Sequence, residues 1–203
     1  MDTPSSPFLA WLFRMPLIRR WSLMYCVKSE NVAEHSHQVA IVAHLLAVIK
    51  NQKFGGDLVP ERAATIALYH ECSETWLGDI VSPVKYSNPD LTREFKQLEA
   101  AAEQQCLASL PTELQSVFAP LLVQSEVPPA YAEVVKAADV ICAYLKAMDE
   151  LAHHNHEFRH VVEKLEPRLA QLRQQPEVDY FLDVFLASCG STLDSLAETG
   201  HRA

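Results

Sequence analysis

The chain has 203 residues, of which 49% are hydrophobic and 21% are charged, so it is long enough to bury a sizeable core. Its formal net charge of −9 argues against a nucleic-acid polymer as partner, because neutralising a phosphate backbone requires a basic face. The five cysteines are scattered and form no C-x-x-C pair, which favours a reducing compartment and core thiols. We therefore expect a cytoplasmic protein with a single domain over residues 1–203.

The first apolar stretch of the chain does not have the pattern of a signal peptide. In residues 5–18 the arginines lie within or after the apolar positions, and no small-residue cleavage site follows. The longest apolar run, residues 39–49, is about half of the roughly 20 residues that a membrane span needs, and His44 interrupts it. We expect no association with a membrane.

Helical spacing of apolar residues, only 5 glycines and 12 prolines as boundaries predict an all-α fold. No segment alternates like a strand, and no repeat or long linker divides the chain. The predicted helices cover residues 7–15, 32–52, 60–77, 91–110, 111–123, 129–156, 160–174 and 178–188.

The second predicted helix opens with a capping box, in which Asn31 is the N-cap and Glu34 is the third helical residue. This start places His35 in the first turn. The helix beyond it is apolar nearly all round, which is typical of a central buried helix.

The third predicted helix begins at Pro60, a favoured first position, and should end near Gly78. Its last two turns would carry His70, Glu71 and Glu74. Glu74 is four residues from His70 and three from Glu71, so all three side chains would lie on one side of the helix.

The long helix predicted from residue 129 contains one carboxylate, Asp139, among small and aliphatic residues. Burying it without a partner would be costly, so we expect a strong partner. If His35, His70, Glu71 and Asp139 converge, two imidazoles and two carboxylates would surround one divalent cation, a mixed N/O set suited to first-row metals.

This ordering resembles the HD superfamily of metal-dependent phosphohydrolases, in which an early His, a His-Asp doublet and a later Asp hold the metal. Longer stretches resemble its bacterial 5'-deoxynucleotidase branch over nearly the whole chain, and the similarity is weak in the tail at about residues 190–203. These stretches, in one-letter code, are RWSLM from Arg20, ENVAEHS from Glu30, YHECSE from Tyr69, GDIVSPVKY from Gly78 and KAAD from Lys136.

The resemblance implies a compact HD-domain helical bundle that hydrolyses 2'-deoxynucleoside 5'-monophosphates to deoxynucleoside and phosphate. It implies a homodimer and one divalent cation, with Co²⁺ or Mn²⁺ preferred and Zn²⁺, Ni²⁺, Fe²⁺ and Mg²⁺ as alternatives. The metal ligands would be His35, His70, Glu71 and Asp139.

Spacing and side-chain chemistry assign roles to Glu74 and Arg20, and the resemblance implies the other roles. Glu74 would position or deprotonate the attacking water, Arg20 would bind the phosphate, and Trp21 would close the sugar pocket against a 2'-hydroxyl. Asp79 would contact the deoxyribose or the leaving side. The remaining substrate contacts would come from Ile80, Val81 and Ser82.

The chain departs from the family at one central position, since Glu71 stands where the doublet has aspartate. The extra methylene extends the carboxylate by about 1.5 Å. This departure leaves open a nucleotide-binding regulator with little turnover. Two further alternatives stay open on other grounds: hydrolysis of triphosphates, as in other HD enzymes, and a di-metal bundle built on two Glu-x-x-His pairs, at Glu34 and at Glu150.

Overall fold

The computed structural model describes residues 5–200, and these residues contain helices and turns but no β-strand. The all-α prediction is confirmed. The α-helices, in chain order, are α1 Phe8–Leu12, α2 Val32–Phe54, α3 Pro60–Tyr69, α4 Glu74–Leu77, α5 Ser82–Lys85, α6 Pro89–Ala108, α7 Thr112–Leu122, α8 Pro129–Ala152, α9 Arg159–Leu172, α10 Pro176–Val184 and α11 Leu193–Gly200.

Helix α2 is the central element of the fold and packs against α3, α8 and α10. It begins at the predicted capping box, in which Glu34 N donates to Asn31 Oδ1 and Asn31 N donates to Glu34 Oε2. By length and composition α2 would also suit a membrane span, but 56% of its most apolar window is buried inside the protein. The prediction of a buried central helix is confirmed.

The hydrophobic core has one large cluster and two smaller ones. The large cluster joins α2, α3, α8, α9 and α10 through aliphatic side chains such as Leu46, Ile66 and Ile141. A second cluster packs α1 against α6 and α7 around Phe8 and Cys106. A third surrounds Phe158 and is covered in part by Trp21. The third cluster gives the irregular segment before α2 a fixed place on the bundle.

The prediction of one continuous helix over residues 60–77 is wrong. Helix α3 ends at Tyr69, residues 70–73 form turns, and α4 then ends at Leu77, directly before Gly78, which has a positive φ of 72°. At the break, His70 Nδ1 lies 2.6 Å from the carbonyl oxygen of Ala67, which in a continuing helix would accept from Glu71 N. The imidazole thus competes with the backbone and helps to end the helix.

Other boundaries differ at their ends. The first helix is shorter than residues 7–15 and is followed by a 3-10 turn at Met15–Leu17, and the long helix α8 stops at Ala152 rather than at residue 156. Helices α5 and α11 were missed because each is short, with four and eight residues. The domain predicted over residues 1–203 stays a prediction, and its ends, residues 1–4 and 201–203, lie outside the described residues.

The cysteine prediction holds for three of the five thiols. Cys72, Cys106 and Cys142 are buried, whereas Cys26 is half-buried and Cys189 is exposed, and all five are free. The two exceptions lie in the segment before α2 and in the 3-10 turn after α10, where the helical core does not enclose them.

Candidate metal centre

The structure brings together the four side chains that the sequence pattern selected as metal ligands. His35, His70, Glu71 and Asp139 each offer a ligand atom, and these atoms all lie within 4.8 Å of one another. They come from the first turn of α2, the end of α3, the turn after it and the middle of α8. Three distant parts of the chain thus converge on one point, with the two nitrogen and two oxygen donors that suit a divalent cation.

His70 is held in the form that binds metals. Its Nδ1 must carry the proton, because its partner, the Ala67 carbonyl oxygen, can only accept. The lone pair therefore lies on Nε2, which is buried and has no hydrogen-bond partner within residues 5–200. Burial lowers the pKa of His70 and keeps the ring neutral. An unpartnered, buried and neutral imidazole nitrogen fits a metal ligand.

His35 and Asp139 form a hydrogen-bonded pair within the centre. His35 is fully buried and Asp139 is half-buried, and His35 Nε2 lies 3.2 Å from Asp139 Oδ1. Lys136 Nζ, one turn earlier on α8, donates to Asp139 Oδ2 at 2.7 Å. Burial opposes ionisation of Asp139, but the His35 hydrogen bond and the Lys136 ammonium outweigh it and hold the pKa of the carboxyl well below its usual range. The prediction that Asp139 has a strong partner is confirmed.

Glu71 links the ligand set to a cationic side chain. Its Oε1 lies 3.5 Å from His70 Nε2 and 3.7 Å from Arg20 Nη1. The longer glutamate thus reaches the same cluster that an aspartate would be expected to join. Burial opposes the charge of Arg20, but nearby carboxylates, Glu30 and Glu71 foremost, outweigh burial and raise the pKa of Arg20, so the guanidinium stays charged.

Glu74 lies beside the ligands although α3 does not continue to it. Its Oε2 is buried and has no hydrogen-bond partner in the described part of the chain. Burial first, and then the charges of Glu71 and Asp79, raise the pKa of Glu74 to about 10. The carboxyl is therefore protonated at neutral pH when no cation is bound, and a bound cation would favour its ionised form.

Three predicted substrate contacts form a group beside Glu71. Trp21 has the left-handed φ of 58°, and its backbone N donates to Asp79 Oδ2 at 3.2 Å. Arg20 Nε and Trp21 Nε1 both donate to Glu30 Oε2, at 3.0 and 2.9 Å. Burial raises the pKa of Asp79, and the Arg20 charge opposes this. Arg20, Trp21 and Asp79 thus border the ligand set as one connected unit.

The other predicted substrate contacts are Ile80, Val81 and Ser82, which directly follow Asp79 in the chain. Ile80 and Val81 are half-buried and Ser82 is exposed. The carbonyl oxygens of Val81 and Ser82 accept hydrogen bonds from the backbone of the α5 turn. No hydrogen bond within residues 5–200 joins these three residues to the ligand set, so their role stays a prediction.

Sequence reasoning selected neither Glu30 nor Lys136 as a site residue. Lys136 had a usable signal, its spacing of three from Asp139 on one helix. Glu30 had none, since its role depends on the approach of residues 18–20 to residues 30–32. The ligand set also opens on a cleft of about 190 Å³, with Lys85, Glu99 and Glu103 in its wall.

The two Glu-x-x-His pairs do not form a second metal centre. Glu34 and His37 are exposed, and Glu34 serves the capping box. Glu150 is buried and accepts hydrogen bonds from Val27 N and Lys28 N, while His153 is exposed. The di-metal alternative therefore lacks its converging glutamates.

Solved structures share this fold. An HD-domain phosphohydrolase from Listeria innocua, lin2634, superposes with a TM-score of 0.79 over 90% of this chain and 87% of its own, at 21% identity. The cyanophage S-2L HD phosphohydrolase DatZ, solved with dA and one catalytic Zn²⁺ ion, gives a TM-score of 0.64 over 95% and 100%, at 20% identity. The predicted HD-domain helical fold is confirmed.

Sequence comparisons identify the branch. The 5'-deoxynucleotidase VV1113 of Vibrio vulnificus is 50% identical over 192 residues, which are 95% of this chain and 98% of that protein. The 5'-deoxynucleotidase of Vibrio cholerae is 49% identical over the same shares. The model of the family described as "5'-deoxynucleotidase YfbR-like" matches residues 7–189, and so stops where the motif resemblance weakened. The chain belongs to the YfbR-like 5'-deoxynucleotidase family.

Proposed function

We propose that the protein is a metal-dependent 5'-deoxynucleotidase that converts 2'-deoxynucleoside 5'-monophosphates to deoxynucleosides and phosphate. The observation that carries this proposal is the convergence of His35, His70, Glu71 and Asp139 beside Arg20 and Trp21. The relatives of nearly equal length, named 5'-deoxynucleotidases, support the reaction. The dA-bound, Zn²⁺-containing neighbour supports a deoxynucleoside ligand and a divalent cation.

The residues present fit such a cation, as the unpartnered Nε2 of neutral His70 indicates. When bound by His35, His70, Glu71 and Asp139, it would supply positive charge that polarises a phosphoryl oxygen and acidifies a water molecule. We propose Co²⁺ or Mn²⁺ as the preferred ion, with Zn²⁺, Ni²⁺, Fe²⁺ and Mg²⁺ as alternatives that metal replacement would rank.

Arg20 would hold the phosphate. Its Nε is engaged by Glu30, and the two Nη atoms of the planar group would bind a pair of phosphate oxygens, although Nη1 also lies 3.7 Å from Glu71 Oε1. The indole of Trp21 would flank the sugar and exclude a 2'-hydroxyl by shape. Asp79 engages Trp21 N through Oδ2, which leaves Oδ1 for a sugar hydroxyl.

Proton transfer falls to Glu74 in this scheme. Once its carboxyl is ionised, the otherwise unpartnered Oε2 would accept a proton from the attacking water. The same group, now protonated, would donate a proton to the leaving 5'-oxygen of the deoxynucleoside. Water is consumed, the P–O5' bond breaks, and phosphate and deoxynucleoside leave.

The experiment is phosphate release from a panel of deoxyribo- and ribonucleoside monophosphates, after chelation and with each metal restored. We expect turnover of the deoxynucleotides, loss on chelation, and recovery with Co²⁺ or Mn²⁺. His70→Ala should abolish turnover, whereas His153→Ala, which changes an exposed histidine, should not. No phosphate from any base with any metal, while nucleotide still binds, would favour the regulator instead.

Hydrolysis of triphosphates is the remaining alternative within this fold. The product decides between the two, because a triphosphohydrolase releases triphosphate and a monophosphatase releases free phosphate. We also propose that the protein is cytoplasmic, on its cysteine pattern, and that it is a homodimer, on the family resemblance alone. Sedimentation equilibrium of the purified chain and fractionation of cells that express it would test those two statements.

A further inference from the structure

Glu30 is a buried carboxylate that belongs neither to the ligand set nor to the proton-transfer group. Its side chain is 7% exposed, and it immediately precedes Asn31, the N-cap of α2. The backbone here is fixed on both sides, because Arg20 N donates to Glu30 O at 3.0 Å and Val32 N donates to Ile18 O at 3.0 Å. Glu30 is thus anchored to the first turn of the helix that carries His35.

One oxygen of Glu30 fixes the direction of the Arg20 side chain. Glu30 Oε2 accepts from Arg20 Nε at 3.0 Å, while Arg20 Nη1 lies 3.7 Å from Glu71 Oε1. Because the guanidinium is planar, holding Nε orients both Nη atoms as well. A rotation of Arg20 away from the ligand set would break a charge-assisted hydrogen bond at a nearly buried carboxylate.

The same oxygen fixes the Trp21 indole. Trp21 Nε1 donates to Glu30 Oε2 at 2.9 Å, and the ring packs edge-on against Phe158, with centroids 5.3 Å apart. The indole N–H has its partner only in the observed orientation. Turning the ring out of the pocket would leave a donor and a carboxylate oxygen both short of a hydrogen bond.

We propose that Glu30 is a positioning residue that holds Arg20 and Trp21 in register with each other and thereby sets the preference for 2'-deoxyribonucleotides over ribonucleotides. The inference rests on the proposed function and adds to it a residue outside the substrate contacts. One oxygen of Glu30 accepts from both side chains. The distance between the Arg20 guanidinium, which would hold the phosphate, and the Trp21 indole, which would flank the sugar, is therefore fixed. A ribonucleotide would then be unable to gain room for its 2'-hydroxyl by a shift of the indole.

The test compares kcat/KM for dAMP and AMP in Glu30→Gln, Trp21→Phe and the double variant. The glutamine is neutral, so its hydrogen bonds to both donors are weaker, and we expect the dAMP/AMP ratio to fall about tenfold while KM for dAMP rises. Phenylalanine keeps a ring but lacks the N–H, and it should lower the ratio as well. In the Trp21→Phe background, Glu30→Gln should leave the ratio unchanged and still raise KM through Arg20.

Glu177→Gln is the matched control, because Glu177 is also a buried carboxylate but pairs with Lys50 at 2.6 Å between α10 and α2. It should keep the wild-type ratio even if it lowers stability. A folded Glu30→Gln enzyme with the wild-type ratio would overturn the inference, as would an equal fall of the ratio with and without Trp21. If Glu30→Gln does not fold, an unchanged dAMP/AMP ratio of kcat/KM in Trp21→Phe would overturn the inference instead. Failure of the proposed function differs, since the wild-type chain would then release no phosphate.

Discussion

At the scale of single residues, Glu71 stands where the His-Asp doublet of the HD pattern that this chain resembles would have aspartate. Its Oε1 reaches both His70 Nε2 and Arg20 Nη1. A shorter aspartate would still face His70 but would withdraw from Arg20, which leaves the guanidinium free for phosphate. We expect Glu71→Asp to bind the cation and to release phosphate at least as fast as the natural chain, as measured by calorimetry and by phosphate release.

Glu163→Asp provides the control for that substitution, because it shortens an exposed glutamate far along the chain, on α9. It should change neither metal affinity nor rate. A large loss of activity in Glu71→Asp with retained metal binding would show that the glutamate is fitted to its own site, and the reading of Glu71 as a tolerated substitution would be wrong.

Glu74 should cost stability in the metal-free protein. The pKa of Glu74 is raised from 4.5 to about 10. Above pH 4.5 the Glu74 carboxyl therefore ionises in the unfolded chain while it stays protonated in the folded chain. The group's contribution to stability is therefore complete below about pH 4.5 and falls as pH rises toward 10. We expect Glu74→Gln to be about 10²- to 10⁴-fold less active. With chelator present, the melting temperature of Glu74→Gln minus that of the natural chain should increase from pH 5 to pH 8.

The direction in which this melting-temperature difference changes with pH tests the role of Glu74. A variant that loses activity and also loses stability, equally at both pH values, would indicate that Glu74 is a structural carboxylate with partners in the fold. Glu133→Gln, at an exposed position on α8, should leave the melting temperature unchanged at either pH.

At the scale of elements, Glu150 ties the end of α8 to the irregular segment before α2. Val27 N and Lys28 N donate to its two oxygens at 2.8 and 3.1 Å, Asn155 Nδ2 donates at 2.7 Å, and Lys146 pairs with it. Burial opposes ionisation, but the hydrogen bonds from Lys146, Asn155 and the two backbone amides lower the pKa of Glu150 to about 2. This network holds in place the segment that follows Trp21.

Glu150→Gln should therefore lower the free energy of unfolding at pH 7 by roughly 3 kcal/mol, chiefly because the buried Lys146 loses its counter-charge. The wild-type advantage is present above about pH 4.5 and is lost as pH falls toward 2, so the gap between the two chains should narrow on acidification. Urea unfolding of both chains at pH values from 7 to 3.5 measures this difference in the free energy of unfolding. A gap that is small at pH 7, or constant with pH, would contradict the prediction.

The sequence predicted the elements whose signals are local. The start of α2 followed from Asn31 and Glu34 because a capping box involves only four neighbouring residues. The break at His70 was missed although its contact is equally local, because the residue types do not show that the imidazole will bond the Ala67 carbonyl in place of the backbone. Glu30 was missed for a different reason, because its partners approach it only when residues 18–20 fold back on residues 30–32.

At the scale of the whole molecule, the metal centre depends on the packing of α2 against α3 and α8. His35, His70 and Asp139 lie on these helices or at their ends. They are far apart in the chain, but their ligand atoms lie within 4.8 Å of one another in the fold. The resemblance could name these residues but could not show that they meet. In the unfolded chain the ligands are dispersed, so a cation that binds the assembled site must stabilise the folded state.

We therefore expect a divalent cation to raise the melting temperature of the chelator-treated protein. At a free concentration one hundred times the dissociation constant the gain is about 2.7 kcal/mol, which for a chain of this size is about 5–10 °C. Asp139→Asn should abolish the shift, because it removes an anionic ligand and leaves Lys136 without its partner. His153→Ala should keep the full shift, since that imidazole is exposed and outside the ligand set. An equal shift in natural chain and Asp139→Asn would place the bound cation elsewhere, and the four-ligand centre would then have to be abandoned.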